Sequence, residues 1–268
     1  MDGRLALDQR AGFASGDGRE NITVADLLSM TSGLAFDEGY AAVSDITRML
    51  YLEGDMAGFA RAKPLAHPVG TTWSYSSGSA VILGRLFQDT AGPRALALMR
   101  ERLFEPLGMK SALIETDAHG TLVGSSYMFA TPRDWARYAW LLEQQGVWRG
   151  EEILPHGYVA LMRTPVAASH GQYGAGALWL WGPDPGDSGK NIDPGFGLPG
   201  DTFWMSGHDG QSIAIMPSAD LVVLRMGLTP HRDHYRPQPL IQAVLRAVGA
   251  ERTPGSSIQD RGPPRAAR

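Results

Sequence analysis

From residue 23 to about residue 165 the apolar positions recur at intervals of three and four, the spacing of a helix with one buried face. Thr23, with Asp26 three residues on, reads as an N-cap, and Val24, Leu27 and Leu28 form the stripe of a short helix that Ser32-Gly33 ends. Further helices are predicted at about 44–53, 55–62, 79–90 and 93–104, with Val81, Leu83, Leu86 and Phe87 on one stripe and Gly92-Pro93 dividing the last two. Thr131-Pro132 supplies a cap and a first-turn proline for a helix of about 132–145, and a shorter one is predicted over 156–163.

After about residue 170 the period changes. GALWLW, TFWMSG, QSIAIMPS and ADLVVLRMGL are short runs rich in β-branched and aromatic residues, predicting three or four neighbouring antiparallel strands. Asp209-Gly210 and Ser218-Ala219-Asp220 stand where tight connections fall, and a helix at about 237–248 is expected to cover a sheet face. The first 22 residues, rich in glycine turns, read as a connector, and the stretch from Arg252 onward reads as a disordered tail. The fold class expected is α+β: a helical lobe (1–165), an antiparallel sheet lobe with its helix (166–250), the tail (251–268), and a site in the cleft between the lobes. The glycine- and proline-rich span 182–201 has two readings, a loop bordering a binding site or a plain surface excursion.

Composition narrows the function. A chain of 268 residues that is 43% hydrophobic can build a real core, and a net charge of -4 with interspersed signs leaves no electrostatic footprint for nucleic acid. Without cysteine there is no disulfide, thiolate nucleophile or Cys-ligated zinc. MDGRLALDQR holds no apolar run of signal-peptide length, and no window approaches the ~20 apolar residues of a membrane span, so a cytoplasmic protein without membrane contact is expected. His231 and His234 lie three apart in a polar loop lacking a carboxylate cluster, so neither metal nor cofactor is expected. Zincin, α/β-hydrolase, phosphate-loop and dinucleotide signatures are absent.

Two constellations remain. Tyr75, followed by Ser76 and Ser77, stands where an irregular segment meets a helix start; it is either a proton shuttle, if a nearby cation lowers its pKa, or a structural ring. In SGHDGQSIAI, Gly207 and Gly210 bracket His208 and Asp209, and Gln211 could offer a backbone N–H to an oxyanion; the alternative is a hairpin turn with a solvated histidine.

Together, in this order, the constellations resemble the serine β-lactamase and penicillin-binding-protein superfamily, in its class C and esterase-like branch. ITVADLLSMTSGL, HPVGTTWSYSSGSAVILGRL, FEPLGM, GSSYMFATPRDWARYAWLL and SGHDGQSIAIMPSADLVVLRMG carry the resemblance over most of residues 1–250. The Tyr-Ser-Ser-Gly and His-Asp-Gly-Gln forms are most similar to 6-aminohexanoate-dimer hydrolases and related esterases. The resemblance implies that Tyr75 relays protons, that Ser77 replaces the asparagine of Tyr-x-Asn, and that His208 replaces the lysine of Lys-Thr-Gly. It further implies that Gln211, next to Gly210, carries an oxyanion N–H and that Tyr40 contacts a substrate amide. The implied partner is a small-molecule ester or amide, cleaved through an acyl-enzyme.

The family's nucleophile lies in Ser-x-x-Lys, and here it is missing. The residues three before Lys63, Lys110 and Lys190, the only lysines, are Ala60, Leu107 and Asp187. MDGRLALDQ resembles the segment that follows the nucleophile helix, so an N-terminally shortened, inactive hydrolase is expected, self-associating through exposed core. The rival is a non-catalytic binding or scaffold protein on the same fold.

Overall fold

The computed structural model describes residues 5–14, 16–40, 43–230 and 233–249. Helix α1 (Val24–Leu28) begins as its sequence dictates: Thr23 Oγ1 accepts from the Asp26 N–H at 3.2 Å while Asp26 Oδ2 accepts from the Thr23 N–H at 2.9 Å. Helices α2 (Asp45–Leu52), α3 (Met56–Arg61) and α4 (Ser77–Ala91) follow, and Ile22, Leu27, Ile46, Met49, Ala57 and Ile82 close one core among them. The segment before α1 is no mere connector. Ala11 and Ile22 are fully buried, and the Ala11 N–H donates to the Ile22 carbonyl at 2.8 Å, so a turn doubles this segment back onto the core.

The helix predicted over 93–104 is interrupted. After α5 (Ala95–Met99) the turn widens to a π form over Arg100–Phe104 before α6 (Glu105–Leu107). Pro106 has no N–H to return to the Arg102 carbonyl and its ring crowds that oxygen, which a wider turn relieves. Two hairpins, β1 (Leu113–Ile114) with β2 (Met128–Phe129) and β3 (Val147–Trp148) with β4 (Glu151–Glu152), are too short to show a period in the sequence.

Helix α7 (Pro132–Glu143) and α8 (Tyr158–Met162) pack on the main sheet, formed by β5 (Phe203–Ser206), β6 (Ser212–Met216) and β7 (Leu221–Arg225) in antiparallel order β5-β6-β7. Alternation along the strands sorts the faces. Phe203, Ile213 and Ile215 meet Ala139 and Leu142 of α7 and Val159 of α8, whereas Trp204, Ala214 and Met216 meet Ile241 and Leu245 of α9 (Gln238–Ala247). GALWLW contributes isolated bridges rather than a strand, Trp179 to Trp204 and Trp179 to Tyr173, because the chain folds back from Tyr173 through Ala177 at φ 61°.

The loop 182–201 is anchored to the sheet and α9 through Asp193. That buried carboxylate accepts from Trp204 Nε1 at 2.8 Å and from the Gly182 N–H and Gln238 Nε2 at 3.0 Å each. The tail expected at 251–268 lies outside the described residues. Among the described residues no helix is long and apolar enough to cross a membrane.

Candidate active site

Tyr75 belongs to an extended segment that runs into α4, whose first turn Ser76 caps by accepting from the Ser79 N–H at 3.2 Å. Its ring meets Trp179 at 5.3 Å and Tyr173 at 6.1 Å between centroids. Trp73 lies 5.7 Å from Tyr173 and 5.8 Å from Trp179, so four rings from two distant segments form one aromatic wall. Burial, and then the Glu38 carboxylate, push the Tyr75 phenol up to about 12. At neutral pH Tyr75 is a protonated phenol, able to donate or pass on a proton but not to abstract one unaided.

Glu38 was not singled out by sequence. Its carboxylate accepts from the Ser77 N–H, and at 3.2 Å from Ser77 Oγ, at the start of α4. Burial raises the Glu38 carboxyl while the two Ser77 bonds oppose the rise. The Ser77 hydroxyl, expected to face substrate, is therefore held by Glu38. Neither of the two acidic residues in AFDEGY has a spacing that marks it, and the long-range contact of Glu38 with Ser77 arises only on folding.

Tyr40 links the two constellations. Its ring lies 4.6 Å from that of His208, inclined by 43°, and its phenol is raised to about 12 by burial, then by Glu38 and by Tyr75. His208 follows β5 in a turn in which Asp209 (φ 54°) and Gly210 (φ 79°) adopt left-handed backbone. Arg225 holds this turn: Nη1 donates to the Gly210 carbonyl at 2.8 Å, and the guanidinium stacks 4.2 Å over Tyr235. A Cβ at Gly210 would come within 3.0 Å of Arg225 Nη1, which with the positive φ explains the glycine. His208 Nε2 is 3.5 Å from Asp209 Oδ2. The Gln211 N–H, expected to be free for an oxyanion, points back to the His208 carbonyl at 3.5 Å, the long limit of a hydrogen bond.

Tyr40 meets His208, and Glu38, two residues before Tyr40, binds Ser77, two residues after Tyr75, with Gly210 and Gln211 in the turn that carries His208. Lys63 is occupied elsewhere, paired with Asp45 and lying 4.1 Å over Phe59. Among the described residues no cluster of His, Asp or Glu could hold a metal ion, and His231 lies outside those residues.

The family model described as Beta-lactamase matches residues 2–245. The chain belongs to the beta-lactamase family. Its fold is the α+β fold of that family, a helical region with small antiparallel sheets. A Bacillus anthracis protein assigned provisionally as a 6-aminohexanoate-dimer hydrolase aligns with TM-score 0.70 and 18% identity over 94% of this chain and 68% of its own. EstCE1, a hydrolase with promiscuous acyltransferase activity, aligns with TM-score 0.67 and 19% identity over 91% and 78% of the two chains. A penicillin-binding protein homologue from Caulobacter crescentus gives TM-score 0.66 and 18% identity over 93% and 78%. At such identities the likeness is one of fold. No curated protein sequence matches the chain.

Proposed function

We propose that this beta-lactamase-family chain supplies most of a serine-hydrolase site that cleaves an ester or amide of a small carboxylic acid through an acyl-enzyme, in the esterase-like branch that includes 6-aminohexanoate-dimer hydrolases. The observation that carries the reading is the position of Tyr40, its ring against that of His208 and two residues from Glu38, which binds Ser77 beside Tyr75. In this scheme a serine oxygen attacks the carbonyl carbon and its proton passes by lysine and Tyr75 to the leaving oxygen or nitrogen as that bond breaks. Water then releases the acid by the reverse relay. Gln211, whose backbone bond in the turn is long, is the donor that would swing to the oxyanion.

We infer that the serine and its lysine come from polypeptide outside these 268 residues, because no Ser-x-x-Lys occurs among them. One feature supports this: β7, bonded to β6 alone among the described residues, leaves Leu221, Val222 and Leu224 only half-buried. That apolar strand is also a candidate seat for self-association.

A second reading, a non-catalytic binding protein, is favoured by the burial that raises the Tyr75 phenol away from a proton relay's range. Fluorophosphonate labelling separates the two. The hydrolase reading expects no adduct on residues 1–268 and an adduct on an N-terminally extended chain, with acylation slowed about 100-fold or more by Tyr75→Phe. An extended chain that folds, contains Ser-x-x-Lys and is never labelled would leave the binding reading in possession.

A further inference from the structure

We propose that the cavity between α8 and the loop 182–201, apart from the Tyr75 site, binds a small organic carboxylate with an apolar body. The cavity measures about 410 Å³ and is lined by Arg163, Asn191 and Thr202 on its polar side and by Ala160, Leu180 and Trp181 on its apolar side. That volume lies within the range of small-molecule sites, about 300–1,000 Å³.

Two of its polar groups keep donors without an acceptor, Arg163 and Asn191, while the Thr202 hydroxyl already donates to the Pro199 carbonyl at 2.6 Å. Arg163 donates from Nη2 to the Asp201 carbonyl at 2.8 Å and lies 4.6 Å over the Phe203 ring, but its Nε is buried with no hydrogen-bond partner. The Asp201 carboxylate makes its hydrogen bonds elsewhere, accepting from the Ser218 N–H and Oγ at 2.8 Å each, and reaches Arg163 only through its charge. Burial pushes the Arg163 guanidinium below its ordinary value, and the nearby Asp201 charge only partly opposes that fall. Asn191 Oδ1 accepts from the Asp193 N–H at 3.0 Å, which leaves Nδ2 as the free end of that amide. Among the described residues no acidic side chain lines the cavity.

A half-buried guanidinium with an unused N–H, an amide donor and no carboxylate together fit an anion, and the planar fork of arginine favours a carboxylate taken by two oxygens. The Trp181 indole and the Leu180 side chain then give an apolar body a surface, which inorganic anions cannot exploit. A benzoate or hexanoate matches this division. The Trp179 ring rests on Tyr75, two residues before Trp181, so an occupant here borders the segment that builds the aromatic wall. The inference does not depend on which acyl group the Tyr75 site handles, or on whether that site is catalytic.

Titration calorimetry of the full chain with sodium benzoate tests it, with benzyl alcohol and inorganic phosphate as comparisons. Saturable benzoate binding is expected, with benzyl alcohol and phosphate each weaker by tenfold or more. Arg163→Gln should weaken benzoate at least tenfold. Asn191→Ala, at an exposed position that leaves the core intact, should weaken it by about threefold to tenfold. If Arg163→Gln fails to fold, Asn191→Ala and the benzyl alcohol comparison carry the test. Absence of saturable binding, benzoate affinity unchanged in a folded variant, or phosphate binding as tightly as benzoate would each overturn the proposal.

Discussion

Tyr40 and His208, 168 positions apart in the chain, lie ring against ring with centroids 4.6 Å apart. The contact joins the segment ahead of α2 to the turn between β5 and β6, and so fastens the helical part of the molecule to the sheet at the candidate site. Tyr40 is 48% exposed, which places the pair at the weaker end of ring contacts. A double-mutant cycle of Tyr40→Ala and His208→Ala followed by urea unfolding should give a coupling of about 0.5 kcal/mol. Strict additivity would remove the contact from any role in holding the site together.

Phenol titration gives a second expectation. Tyr75, Tyr40 and Tyr138 are each raised from 10.0 to about 12, chiefly by burial. The folded state therefore keeps protons that the unfolded chain releases above pH 10, so the stability these groups contribute is whole below pH 10 and declines as pH rises to about 12. Ultraviolet phenolate absorbance should show the late titrating group, and unfolding should be promoted in the same window. Normal titration of every tyrosine in the folded protein would contradict the buried aromatic wall.

Glu38→Gln should move Tyr75 and Tyr40 to lower ionisation pH, since the Glu38 carboxylate is the second cause of both shifts, yet leave them above 10.0 because burial is the first. The raised Glu38 carboxyl means that its charged form is disfavoured on folding, so the neutral isostere should gain stability at neutral pH. Chemical denaturation at pH 7 reads the sign; a loss would mean that the Ser77 hydrogen bonds outweigh the burial of the charge.

Asp193→Ala would strand two buried donors, Trp204 Nε1 and the Gly182 N–H, and leave Gln238 Nε2 only its bond to the Pro183 carbonyl. A loss of about 3 kcal/mol or more is expected, seen as a lower Tm. A neutral outcome would return the loop 182–201 to the status of a surface excursion.

Thr23→Ala removes the hydroxyl that accepts from the Asp26 N–H. The cost should be about 1 kcal/mol. Thr23→Ser, which keeps the oxygen, should recover most of it in the same thermal melt.

Helices α1 and α7 were legible because each carries its own boundary chemistry within a few residues, Thr23 with Asp26 and Thr131 with Asp134 and Pro132; the others showed through apolar spacing. The three main strands were legible because alternation on a two-faced sheet leaves a period of two. The interruption at Arg100–Phe104 and the doubling back near Ala177 depend on contacts beyond the local window, and periodicity could not register them.

By itself the sequence determined the α+β class, the capped helices, Tyr75 at a helix start and His208 in a glycine-bracketed turn, because these follow from short-range spacing and from motif residues adjacent in the chain. Only the tertiary structure decided that Glu38 takes the Ser77 hydroxyl, that Tyr40 reaches His208 and that Trp179 backs Tyr75. Such pairs span tens to more than a hundred positions, and the burial and electrostatic field that set their chemistry exist only once the segments are packed together.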